Sequence, residues 1–217
     1  MRKTLLGAVA LVLALQGCSA DDDTPAAPVT SAAPVAGPST LSSAEASATS
    51  GIGGAPAPAG ALDGKRQIFL LPRIQDTELA DSVLAVTAAG RLQVTDDYAD
   101  RALFVPVPRG GGAQERLIKT GTLRSGGEPM CLQIRSNGAN PRTVVTAACD
   151  AGEPTQLFTF DAAGEDEDGH PTYAVRNGDA FLQWHPMGET GLVVEELGDS
   201  RLQTTFALRD QGAAALP

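Results

Sequence analysis

Ser82-Val83-Leu84-Ala85-Val86, Met130-Cys131-Leu132-Gln133-Ile134 and Ala180-Phe181-Leu182-Gln183-Trp184 are three versions of one alternating pentapeptide. Their central leucines stand 48 and 50 residues apart. Alternation with period two places every second side chain on one face, the pattern of a half-buried strand. A second β-patterned run precedes each pentapeptide, at Ile68–Leu71, Leu117–Thr120 and Tyr173–Arg176. A third follows a turn, at Arg91–Thr95, Thr143–Ala147 and Leu192–Glu196. A fourth closes each unit, at Leu103–Val107, Leu157–Phe160 and Phe206–Leu208. Clusters of Gly, Asp, Asn and Pro separate these runs, and no long segment has the helical period.

The body of the chain is therefore expected to be all-β. Three similar units of four strands, each near 50 residues, are what a β-trefoil requires. A unit of that size cannot bury its own apolar face, so the three must close on one another. The alternative is a β-sandwich with chance similarity between strands; four matching positions in three copies favour the trefoil. The domain is placed at residues 63–212, with a short tail at 213–217.

Upstream the composition changes twice. Arg2 and Lys3 precede an apolar run, Leu5 to Leu15. Eleven residues are too few for a membrane-spanning helix, which needs about 20, but suit a secretory signal peptide at 1–17. The run ends in Leu15-Gln16-Gly17-Cys18, which resembles the lipobox of bacterial lipoproteins. The resemblance implies acylation of Cys18 and partnership with a lipid bilayer. Several acyl chains, at about 0.8 kcal/mol per buried methylene, make a stable anchor. Ser19 rather than Asp follows, which implies the outer membrane in a Gram-negative organism and the outer face of the cell membrane in a Gram-positive one. Residues 18–62 are nearly all Ala, Pro, Ser, Thr and Gly after Asp21-Asp22-Asp23. Such a segment buries too little apolar surface to offset its ordering entropy, so it is expected to be a disordered tether.

The chain of 217 residues carries 16 basic and 26 acidic side chains. Loss of residues 1–17 removes two bases and no acid, giving a net charge of −12. Nucleic acid is excluded as a partner, because phosphate contacts need a basic stripe. Beyond Cys18 the cysteines are Cys131 and Cys149. An even pair in an exported protein suggests one disulfide. Metal binding is not expected, since both His170 and His185 precede proline and no Cys/His ligand spacing is present. No nucleophile elbow or zinc-protease motif occurs, so no catalysis and no cofactor are expected.

The middle unit supports a more specific reading. Cys131-Leu132-Gln133-Ile134, Val144 five residues before Cys149, and Gln156-Leu157-Phe158 together resemble a ricin B-type lectin repeat. The likeness spans roughly residues 64–212 and is weak in the outer units. The first unit has no Gln-x-aromatic motif. The third has Gln203-Thr204-Thr205-Phe206, one residue too long. The resemblance implies a Cys131–Cys149 bridge and a carbohydrate-binding scaffold, with ligand contacts at Gln133, Gln156 and Gln183. It does not carry over a complete sugar site. The family's acidic residue is replaced by Gln133, Gln183 and Ala85, and residues 135–148 contain no aromatic platform. A glutamine still offers donors and an acceptor but loses the charge-assisted bond of a carboxylate.

Other residues weigh toward bland roles. Trp184 is expected in the core, and Gln156 is better explained as a structural residue of its turn. Glu165-Asp166-Glu167-Asp168 lacks the spacing of a calcium loop and reads as a solvated loop. Gly110-Gly111-Gly112 reads as a connector. Three functions follow from the sequence. The first is a membrane-anchored, non-catalytic module binding a glycan or a protein. The second is an accessory subunit of a secreted toxin. The arrangement resembles the cytolethal distending toxins, in which a lipoprotein with a proline-rich leader carries a ricin-like domain. The third is a structural envelope lipoprotein that does not bind sugar.

Overall fold

The structure is a computed structural model that describes residues 60–215, apart from 76, 78–80, 137, 139–140 and 187–190. Cys18, the expected signal peptide and nearly all of the expected tether lie outside the described residues. Among those residues the chain is all-β, with two short 3₁₀ turns, Asp100–Ala102 and Pro154–Gln156.

Six strands form a ring. They are β1 (Arg66–Ile74), β4 (Phe104–Pro108), β5 (Arg116–Thr120), β8 (Leu157–Glu165), β9 (Pro171–Asn177) and β12 (Thr204–Ala213). The antiparallel pairings run Ile68↔Phe104, Pro106↔Ile118, Leu117↔Leu157, Phe160↔Val175, Tyr173↔Phe206 and Leu208↔Leu70. The last of these returns to the first strand, so the ring of six strands closes. Pro106 and Pro108 can sit in a barrel strand because β4 meets β1 only at Phe104. Their missing N–H groups fall where no ladder bond is needed.

The other six strands make three hairpins. β2 (Val83–Val86) pairs with β3 (Leu92–Thr95), β6 (Met130–Arg135) with β7 (Thr143–Ala148), and β10 (Ala180–His185) with β11 (Gly191–Glu196). Each expected run falls within or against one of the twelve strands; β1, β8 and β12 are longer than the patterns that marked them. The hairpins meet one another. The Gly90 carbonyl accepts the Thr146 N–H at 2.7 Å, and Arg142 and Val194 exchange both main-chain bonds at 3.1 and 2.8 Å.

The ring and hairpins share one core. Ile68, Leu70, Phe104, Ile118, Phe158, Phe160, Val175, Phe206 and Leu208 fill the barrel, and Leu84, Leu132 and Leu182 plug it from the hairpins. The three pentapeptide leucines thus belong to a single apolar cluster. With few aromatics, the interior is packed largely by branched aliphatic side chains around four phenylalanines. A smaller cluster on the outside of the barrel joins Phe69, Leu71, Val83 and Ala207, with Tyr98 edge-on to Phe69 at 5.6 Å.

The folded region exceeds the limits set by composition. Ala61 and Leu62, assigned to the tether, pack on the core. At the other end Ala213 pairs with Arg66, and the Ala214 N–H donates to the Lys65 carbonyl at 2.9 Å. Small residues there give no apolar pattern; their role is to extend the ladder. Arg66 binds Asp210 through both carboxylate oxygens and fastens the two ends of the domain together.

Candidate functional site

The three glutamines singled out by sequence occupy different environments. Gln133 projects from β6, half-buried, and its Nε2 donates to Thr155 Oγ1 at 3.0 Å. Thr155 in turn donates to Glu153 Oε1 at 2.8 Å. This short chain joins the second strand of the middle unit to its closing turn, and part of it faces solvent.

Gln156 is 2 % exposed. Its Nε2 donates to the Ala148 carbonyl at 2.8 Å and its Oε1 accepts the Asp150 N–H at 2.9 Å. Both ends of the amide are used by main chain next to Cys149, which makes it a turn-holding residue. Gln183 is fully buried. Its Oε1 accepts from the main-chain N–H of Gln203 at 3.1 Å and of Thr204 at 3.2 Å, and its Nε2 donates to the Leu182 carbonyl at 2.9 Å. Ligand contact by Gln156 and Gln183 is therefore corrected: neither offers surface, and buried polar groups that are fully used internally have no capacity to spare. Of the three, Gln133 alone is placed to meet a ligand.

Cys131 and Cys149 form a disulfide with Cα atoms 4.9 Å apart. It joins the buried start of β6 to the exposed end of β7, beside the Gln156 turn. Trp184 is half-buried and belongs to no core cluster among the described residues, so its expected core role is also corrected. It is the last residue but one of β10 and pairs with Leu192 of β11.

A deep concavity lies elsewhere. A cleft of about 640 Å³ opens on the outer side of the barrel, between the β8–β9 turn, the segment after β1 and the start of β12. Arg73, Asp81, Thr172 and Thr205 line it, together with the whole acidic run Glu165–Asp168. The run closes the β8–β9 hairpin. Asp166 Oδ1 accepts the N–H groups of Asp168 at 3.2 Å and His170 at 2.8 Å, and Arg73 Nε lies 3.4 Å from Oδ2. Burial of Asp166 would raise its pKa, but the His170 N–H, the His170 ring and the Arg73 guanidinium together hold it below the usual carboxylate range. It is ionised at neutral pH. Asp166, Asp168 and His170 can each present a ligand atom within 4.8 Å of the others. Asp166 is already occupied by its own turn, so this grouping has a structural explanation.

Sequence reasoning saw the acidic run but not the cleft. Its walls come from segments about 90 and 125 residues apart, brought together by the β1–β12 and β9–β12 pairings. No local pattern marks such a site.

No family model matches the sequence, and no curated protein is similar to it. Solved structures do match. A protein described as the BEL beta-trefoil superposes with a TM-score of 0.50 at 15 % identity, over 72 % of this chain and 99 % of that one. The fold is β-trefoil-like. The Haemophilus ducreyi cytolethal distending toxin matches at 14 % identity and a TM-score of 0.45, over 69 % of this chain and 87 % of that one. A Polyporus squamosus lectin, solved with a sialylated glycan epitope, matches at 14 % identity and a TM-score of 0.46, over 69 % of this chain and 49 % of that one. At these identities the likeness concerns the fold and not the sites.

Proposed function

We propose that this chain is a non-catalytic binding module for glycans. Three four-stranded units of about 50 residues form its β-trefoil, which is carried on a tether from an acylated Cys18 at the outside of a cell membrane. The observation that carries this reading is the lectin-like arrangement of the middle unit within a β-trefoil-like fold. The Cys131–Cys149 bridge, the Gln156 turn and the half-exposed Gln133 support it, being the residues whose spacing resembles a ricin B-type repeat. The lipobox and the composition of the leader support the anchored half of the proposal.

A glycan array tests the binding, using the soluble chain from Ser19 onward with its disulfide intact. Retention of one glycan class over others supports the reading. An array without any retained glycan overturns it and leaves the protein-binding, toxin-subunit and structural envelope roles. Metabolic labelling with a fatty-acid analogue tests the anchor: label lost in Cys18→Ala supports it, and label absent from the parent chain contradicts it.

A further inference from the structure

We infer that the acidic cleft beside β9 is a binding site for a sugar bearing an ammonium group, an inference that rests on the glycan-binding reading above. Its volume, about 640 Å³, is within the range of small-ligand sites. It is separate from the family position, since Gln133, Thr155 and Glu153 line no part of it.

Three features point to this ligand class. The first is unbalanced charge. Asp81, Glu165, Asp166, Glu167 and Asp168 face one cation of the cleft, Arg73, which is committed to Asp166. Among the described residues Asp81, Glu165 and Glu167 have no ion-pair partner. Carboxylates facing one concavity make a field that attracts a cation and repels an anion. The second is Thr172. It is 3 % exposed, and it lines the cleft. Its strand neighbours Tyr173 and Val175 turn toward the barrel core, so Thr172 faces outward. Among the described residues no group bonds its hydroxyl. A hydroxyl that no protein group bonds and that opens on a polar cleft is a ready partner for a ligand hydroxyl. The third is the mixture of groups. Carboxylates accept from sugar hydroxyls and from an ammonium, and Thr205 and Gln203 add neutral polar contacts. A purely cationic ligand would leave those neutral groups idle, and a neutral sugar would leave the net charge unanswered.

The test is calorimetric titration of the soluble chain from Ser19 with a fully deacetylated glucosamine tetramer and with its N-acetylated counterpart. The deacetylated tetramer is expected to bind at least about tenfold more tightly, a factor set by one well-placed charge interaction. Its affinity should fall as salt rises from about 0.05 to about 0.5 M, as screening requires. Asp81→Asn combined with Glu167→Gln, both at exposed positions, should weaken it about tenfold or more. Thr172→Val should weaken it several-fold without lowering the melting temperature, because the substitution keeps the shape and removes an unpaired hydroxyl.

Equal binding of the two tetramers overturns the inference, as does indifference to the cleft substitutions. A glycan that binds and is lost in Gln133→Ala but not in the cleft variants overturns the inference while keeping the broader function. The absence of any bound glycan overturns both.

Discussion

Gln183 and Thr204 are tied by reciprocal use of side chain and main chain. Gln183 Oε1 accepts the Thr204 N–H at 3.2 Å, while Thr204 Oγ1 accepts the N–H of Trp184, the next residue on β10, at 3.0 Å. The corresponding pair in the middle unit is looser, with Gln133 reaching Thr155 through one side-chain bond. Two glutamines at matching pentapeptide positions thus perform different tasks. Gln183→Ala leaves the buried Thr204 N–H and the part-buried Gln203 N–H unpaired and is expected to cost about 2–4 kcal/mol. Gln133→Ala breaks one half-exposed bond and is expected to cost about 1 kcal/mol or less. Urea melts of the two variants check the contrast; equal losses contradict it.

The Cys131–Cys149 bridge closes a loop spanning 18 residues of sequence separation. Constraint of the unfolded chain over that length contributes about 3 kcal/mol. Reduction of the native protein should lower its unfolding free energy by roughly that amount. The loss should be largest for bonds near β6, β7 and the Gln156 turn, which hydrogen exchange reads directly.

Two carboxylates link stability to acid. The Arg66 side-chain bond holds Asp210 below the usual carboxylate range, against a smaller opposing effect of burial. Asp166 is held low as described above. A depressed folded pKa stabilises the native state above the unfolded value of about 4, and that contribution disappears as pH falls through the folded value. The melting temperature should therefore drop as pH falls below about 4. Asp210→Asn should flatten part of the decline. An acid limb unchanged in Asp210→Asn contradicts this assignment.

Gly90 carries the contact between the first two hairpins. Its φ is +74°, and a Cβ there meets Thr146 Oγ1 at 2.8 Å. Gly90→Ala combines backbone strain with a clash and should cost about 1–3 kcal/mol. Replacing Gly111, where φ is +65° but the surrounding space is open, should cost less. A thermal-melt comparison of the two decides the point.

The strands were legible because alternation is a local property. Leu84, Leu132 and Leu182 announce their strands, and all three lie in the core. The glutamines were harder. Gln133 and Gln183 hold the same pentapeptide position, yet their fates depend on what the closing segment supplies: a threonine hydroxyl for one, main-chain N–H groups for the other. Trp184 misled because alternation gives a face without saying how far along it the core extends. The domain limits at Ala61 and Ala213 were hidden because alanine carries no periodic signal. The cleft lay beyond any local reading, since Arg73 and Asp166 are 93 residues apart and meet only after the barrel closes.

The central claim is that this domain binds a glycan. Its most direct measurement is an amide chemical-shift titration of the isotopically labelled chain from Ser19 with the deacetylated glucosamine tetramer. Saturable shifts centred on Asp166, Glu167 and Thr172 are the predicted result. Spectra unchanged across the titration, together with no shift for any glycan retained on an array, contradict it.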